Sequence, residues 1–193
     1  VIYPLASPYN DPNLNEHFTQ IYSGLTDEEI QRIRDIGDAL ETTNVKLYGR
    51  FDDRKVRATG SHFGLNDETA WLYARMAKVA QQINAANYRY DLTGFHENFY
   101  YLTYRTGGHF NWHVDIGGQT PAPRKLSLVL QLSDPSEYEG GDFNVMIADH
   151  YDTADKRKGL ITAFPAFKIH RVTPVTKGVR RTLSMFLAGP NFR

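Results

Sequence analysis

The chain has 193 residues, and its 22 lysines and arginines balance 22 aspartates and glutamates, so no net field draws it toward nucleic acid or an anionic membrane. It has no cysteine, which excludes disulfides and thiolate ligands and leaves histidine and carboxylate as its metal donors. No apolar stretch is long enough to span a bilayer, so the expectation is one cytoplasmic domain, 1–193, with a sizeable core.

In chain order, residues 4–15 are rich in proline and asparagine and read as an irregular arm. His17 to Tyr22 has the composition of a short strand. Thr26, with Glu29 three places on, forms a capping box opening a helix, and Ile30, Ile33 and Leu40 give it an apolar stripe. The mixed-charge stretch GRFDDRKVRATGSHFG, residues 49–64, reads as a loop; with the loop Gly117–Arg124 it is expected to form part of a substrate lid, and His62 reads as a surface or core histidine, with a loop near substrate as the alternative. A second helix is expected from about Asp67 to Ala86, burying Trp71, Leu72, Met76, Val79 and Ile83.

From Tyr88 the pattern changes to short aromatic and β-branched runs between turn residues. Candidate strands are Phe95–Tyr104, Phe110–Asp115, Lys125–Leu132, Phe143–Ile147, Leu160–Phe164, Ile169–Val172 and Thr182–Ala188. Residues 1–87 thus read as an arm and supporting helices, and 88–193 as a β core. The fold class is α+β, mainly β: a sandwich or jelly-roll with helices packed on one sheet. In Lys125–Leu132 the leucines at 126, 128, 130 and 132 share one face, which turns Ser127 and Gln131 toward the barrel interior.

Two His-x-Asp pairs stand out, His113-Val-Asp115 and His150-Tyr-Asp152. Such a pair alone is a weak signal, and context separates them. The first lies in a strand-like run, so His113 and Asp115 share a face and can bite one metal; alternation puts His109 and Asn111 on that face too. The second lies in ADHYDTADKRKG, polar and without apolar alternation, and reads as an exposed hairpin loop. His17, His62 and His96 have no partner at useful spacing, which leaves His170, after an apolar run, as the third ligand. Beyond it, Pro174-Val175 and Lys177-Gly178 read as a turn, and Arg180 begins a return strand with Thr182 and Ser184 on its face. A buried arginine is costly unless an anion pairs with it, and its fork suits a carboxylate; Arg181 then points outward by alternation.

Together, Tyr104-x-x-Gly107-x-x-Phe110-x-x-His113-x-Asp115 and His170-x-Val172-x-Pro174-Val175-x-x-Gly178-x-Arg180 resemble the Fe(II)- and 2-oxoglutarate-dependent dioxygenases. The prolyl 4-hydroxylase branch, with its bacterial prolyl/lysyl hydroxylase-like members, is the nearest in kind. LSLVLQLSDPSEYEGGDF is similar to that branch's central strand and Gly-Gly hairpin, and the resemblance runs from about Tyr100 to Leu187. It implies a double-stranded β-helix with Fe(II) on His113, Asp115 and His170, a facial triad with open positions. It implies 2-oxoglutarate on Arg180, with Tyr104, Gln131 and Thr182 as further contacts, and O2 as co-reactant with ascorbate as an optional reductant. The implied reaction hydroxylates an unactivated C–H of a prolyl or lysyl residue or an amino-acid-like metabolite, releasing succinate and CO2. The partner is then a small-molecule or peptidyl substrate, not nucleic acid or membrane. Retention of Asp115 favours hydroxylation over halogenation. Phe110 departs from the tyrosine many relatives carry there, so no hydroxyl is available at that position. The residues alone leave two alternatives open: a His/His/Asp zinc hydrolase, which would need a general base and no Arg180, and a non-catalytic β-barrel binding or sensor module.

Overall fold

The computed structural model describes residues 17–46, 52, 54–117 and 122–190. β1 (Thr19–Tyr22) leads into α1 (Asp27–Ala39). Thr26 accepts from the Glu29 N–H at 3.2 Å and Glu29 accepts from the Thr26 N–H at 3.0 Å, so the capping box satisfies both orphan donors. β2 (Thr43–Asn44), β3 (Val56–Arg57) and β4 (Thr59–Phe63) precede α2 (Ala70–Ile83), which runs on through one π turn, Asn84–Tyr88. There follow β5 (Gly94–Phe95), β6 (Phe99–Arg105), β7 (His109–His113), β8 (Arg124–Gln131) and β9 (Tyr138–Gly140). β10 (Phe143–Met146), β11 (Tyr151–Thr153), β12 (Leu160–Pro165), β13 (His170–Val172) and β14 (Val175–Ala188) complete the fold. None of the described helices is long and apolar enough to cross a membrane.

The strands form two antiparallel sheets. The large one runs β1-β12-β8-β14-β6-β4-β2, with β5 and β9 also on β14; the small one runs β11-β10-β13-β7-β3. The alternation in β8 does what its leucines require. Leu126, Leu128 and Leu130, with Leu183 and Met185, face Ile30, Ile33, Leu72 and Met76 of the two helices. The opposite face meets the small sheet across a second core containing Leu102, Tyr104, Phe143, Val145, Phe164 and Val172. Trp71, expected in the helix core, is only partly buried at its edge.

Three expectations are corrected here. Beyond β1, which falls in the expected His17–Tyr22 strand, further strands precede residue 88: β4 belongs to the large sheet and β3 to the small one, so the first part of the chain supplies walls as well as helices. Residues 56–63 of the supposed lid are therefore mostly strand, with Val56 and Phe63 buried, and His62 sits on β4 rather than a loop. Residues 49–51 and 53 of that stretch, 118–121 of the other loop and the arm 4–15 lie outside the described residues. Lys177-Gly178 is no turn: β14 starts at Val175, its register with β9 shifts between Val175 and Lys177, and Gly178 follows within the strand at φ 76°. A Cβ there would lie 2.0 Å from the Glu137 carbonyl oxygen, so only glycine allows β14 this approach. Arg181 does point away from the barrel, but under α1, where its Nε meets Asp38 at 3.0 Å.

Candidate metal centre and adjoining cavity

His113 and His170 are cross-strand partners on β7 and β13, and Phe110 lies opposite Val172. Three steps along β7 thus match two along β13, which is a β-bulge at Asn111-Trp112. The bulge brings Phe110 and His113 to the same side, their rings stacked 3.6 Å apart at 6°. It also breaks the simple alternation: His109 and Asn111 do not join His113 but line a separate recess with Arg171, Thr173 and Pro174. The Phe110 ring packs on a ligand where a tyrosine hydroxyl was missing.

Both imidazoles are oriented from behind. His113 Nδ1 lies 2.7 Å from the Asn111 carbonyl, and His170 Nδ1 lies 2.9 Å from the Lys168 carbonyl. A carbonyl only accepts, so each Nδ1 carries a proton, which leaves Nε2 as the nitrogen available to a metal. Those Nε2 atoms face one carboxylate: His113 stands 3.7 Å from Asp115 Oδ1 and His170 stands 3.6 Å from Asp115 Oδ2. The ligand atoms of the three residues lie within 4.8 Å of one another, the one such group among the described residues. Asp115 is itself fixed, its Oδ2 accepting from Ser127 at 2.7 Å and its N–H donating to Ala166 at 2.9 Å. Burial, and then the neighbouring His170, push the His113 imidazole down to about 3, so it is neutral and ligand-ready at neutral pH. Phe164 and Phe143 flank His170 at ring separations of 4.5 and 5.5 Å.

Phe143 also borders the cavity beside this cluster. Val129, Gln131, Lys156, Thr162 and Arg180 complete much of its wall. Arg180 is 3% exposed, its Nε has no hydrogen-bond partner, and among the described residues no carboxylate pairs with it. An uncompensated buried cation costs several kcal/mol, on the order of the penalty for a broken ion pair, so this cavity suits an anion. Tyr104 is the cross-strand neighbour of Arg180, whose guanidinium lies 5.4 Å from the ring centroid. Burial pushes the Tyr104 phenol up to about 12, which keeps it a neutral donor.

The other expected contacts stand differently. Gln131 reaches the cavity, but its amide already donates to Ser133 at 3.1 Å and to Tyr138 at 3.0 Å, so it shapes the wall. Thr182 is buried opposite Gln131 and is not part of the wall. Lys156 and Thr162 went unnoticed in the sequence. Thr162 had a signal, a hydroxyl in an apolar strand; Lys156 sits in a polar run with none. Its amine is held by the Gly140 carbonyl at 2.6 Å and by Asp142 at 2.5 Å. His150 and Asp152 lie at an exposed hairpin on the edge of the small sheet, away from any cluster.

Residues 99–188 match the model of the 2OG-Fe(II) oxygenase superfamily. Over that span, just under half of the chain, the protein is similar to 2OG-Fe(II) oxygenases. A PKHD-type hydroxylase of Pseudomonas putida is 38% identical over 85 residues, which is 40% of this chain and 37% of that protein. The chain thus aligns with well under half the length of this relative. Among solved structures, a P. putida prolyl-4-hydroxylase superposes with a TM-score of 0.70 at 18% identity, over 91% of this chain and 94% of that one. A Trichoplax adhaerens prolyl hydroxylase, in complex with a hypoxia inducible factor peptide fragment, gives 0.74 at 15% identity over 89% and 83%. These likenesses carry the double-stranded β-helix fold.

Proposed function

We propose that the protein is an Fe(II)- and 2-oxoglutarate-dependent dioxygenase that hydroxylates an unactivated C–H of a prolyl- or lysyl-like substrate, peptidyl or free, with release of succinate and CO2. The observation that carries this is the pairing of a His/His/Asp cluster with a buried arginine in the adjoining cavity that no carboxylate meets among the described residues. Metal-assisted hydrolysis does not in itself require such an arginine; a dianionic cosubstrate does. The hydroxylase names of the relatives point to the same substrate class.

The donor set fits Fe(II): two imidazoles and one carboxylate, with positions left over. Bound there, the iron supplies the activation of O2 and the oxidation of the cosubstrate. The protein's part is positioning and exclusion of water. His113, Asp115 and His170 hold the metal. Arg180 receives the distal carboxylate of 2-oxoglutarate, with Tyr104 beside it as a neutral hydroxyl. Phe143, Phe164 and Phe110 keep the ligands dry.

The test is an anaerobic titration of metal-free protein with Fe(II), then 2-oxoglutarate, following the weak visible charge-transfer band of a chelated 2-oxo acid. The band should need both additions. His113→Ala, Asp115→Ala and His170→Ala should each abolish it, while Arg180→Met should keep iron and demand far more 2-oxoglutarate. Iron bound with no band at any 2-oxoglutarate concentration contradicts the proposal.

A further inference from the structure

Asp115 lies beyond the end of β7, so its backbone carbonyl has no place in the ladder. Arg124, the first residue of β8, takes over: its Nη1 donates to the Asp115 carbonyl oxygen at 3.2 Å. That guanidinium is held rigidly. Its Nε donates to Glu97 Oε1 at 2.6 Å and its Nη2 to Glu97 Oε2, a bidentate fork. Its face lies 3.6 Å from the centroid of the Phe186 ring. Both side chains of the pair are well covered, at 13% and 15% exposure.

We infer that Arg124 is a positioning residue for the carboxylate ligand, with Glu97 as the group that orients it. This rests on the reading of His113, Asp115 and His170 as a metal centre. The physical case is one of degrees of freedom. Ser127 fixes one carboxylate oxygen of Asp115, and the Ala166 carbonyl accepts from the N–H groups of both Asp115 and Ile116. The Arg124 contact holds the opposite edge of the Asp115–Ile116 peptide, its carbonyl, so that peptide is pinned from both sides. A bidentate carboxylate on one edge and a ring on one face leave the guanidinium a single orientation, so Nη1 points at one place. A lysine would offer a charge without the fork. Groups that orient metal ligands in this way typically contribute about 10- to 100-fold to metal affinity.

The experiment titrates metal-free protein with Co(II) alone and reads both affinity and the visible spectrum of the bound ion. Neither cosubstrate nor substrate is present, so a role in binding either would not register. Arg124→Met and Glu97→Gln should weaken Co(II) binding by about tenfold and alter the band shape, and Arg124→Lys should fall between them and wild type. His113→Ala serves as the variant that binds none. Thermal unfolding shows which variants are folded at the titration temperature; if Arg124→Met is not, Glu97→Gln, which keeps the size and shape of the partner, decides. Wild-type affinity and spectrum in the folded variants overturns this inference alone. Wild-type protein that binds no Co(II) overturns the metal reading and this inference with it.

Discussion

Ser127 sits on the inward face of β8, and its hydroxyl is the only side-chain donor the described structure gives to the Asp115 carboxylate. Removing it should leave the strand intact and free a metal ligand to rotate. Ser127→Ala should therefore weaken Co(II) or Fe(II) binding by about tenfold with little change in thermal midpoint, read by competitive metal titration. His150→Ala, at the other His-x-Asp pair, should bind metal as wild type does, because its ring, on an exposed hairpin, meets Asp149 at 3.0 Å and lies outside the ligand cluster. At this scale the sequence was informative about the ligands and silent about what holds them. His113, Asp115 and His170, which the fold gathers, and Arg180 in the adjoining cavity could be picked out as candidates because their chemistry is specific and strand context separated the two pairs. Their supports could not: the carbonyls of Asn111, Lys168 and Ala166 can come from any residue type. Arg124 and Glu97 are 27 positions apart and meet only after the sheet has formed.

Helix α1 lies closely on the large sheet, and Gly37 is the reason it can. A Cβ at Gly37 would stand 2.5 Å from the Tyr101 ring, which is buried. Gly37→Ala should gain about 0.8–1 kcal/mol of helix propensity and lose about 1–3 kcal/mol to overpacking. The net should be destabilising, with a lower midpoint in urea and an unchanged slope. One residue on, Asp38 joins α1 to β14 by accepting from Arg181 at 3.0 Å and from Tyr101 at 2.8 Å. Burial pushes its carboxyl up, but the hydrogen bonds from Arg181 and Tyr101 and the arginine charge outweigh burial, so the group sits below the ordinary carboxylate range. A lowered folded value means stability that is present above the unfolded pKa of about 3.9 and is lost as pH falls through the folded one. Asp38→Asn should therefore be less stable than wild type at neutral pH, and the gap in unfolding free energy should narrow as pH falls below the ordinary carboxylate range and through the folded value. A gap constant with pH would show that the carboxylate's charge contributes nothing. The helices and β8 were legible because each carries its own period over many residues. β3 and β4 were not: they are short, mixed in charge, and defined by partners on β7 and β6. The β7 bulge was hidden for the same reason, since it exists only in the mismatch with β13.

At the scale of the whole molecule, the two halves of the candidate site belong to different sheets. His113, Asp115 and His170 come from the small sheet and the turn after it, whereas Arg180, Gln131 and Val129 come from the large one. A metal ion would cross-link ligands within the small sheet. A cosubstrate that reaches from the metal to Arg180 would join the two sheets across the barrel interior and neutralise the arginine. Each ligand binds only the folded chain, so each should add stability by mass action, about 2.7 kcal/mol at one hundred times its dissociation constant. For a chain of this size a kilocalorie moves the midpoint by roughly 2–4 °C, so each ligand should raise it by roughly 5–10 °C. The two increments should be separable. Metal alone should stabilise wild type and Arg180→Met alike, because the metal ligands do not touch that arginine. Adding 2-oxoglutarate to the metal-loaded protein should give wild type a second increment and leave Arg180→Met unchanged at the same concentration. His113→Ala should show neither step. Equal second increments in wild type and Arg180→Met would mean that the distal carboxylate is held elsewhere in the cavity, and Lys156, the other cation in its wall, would be the residue to change next.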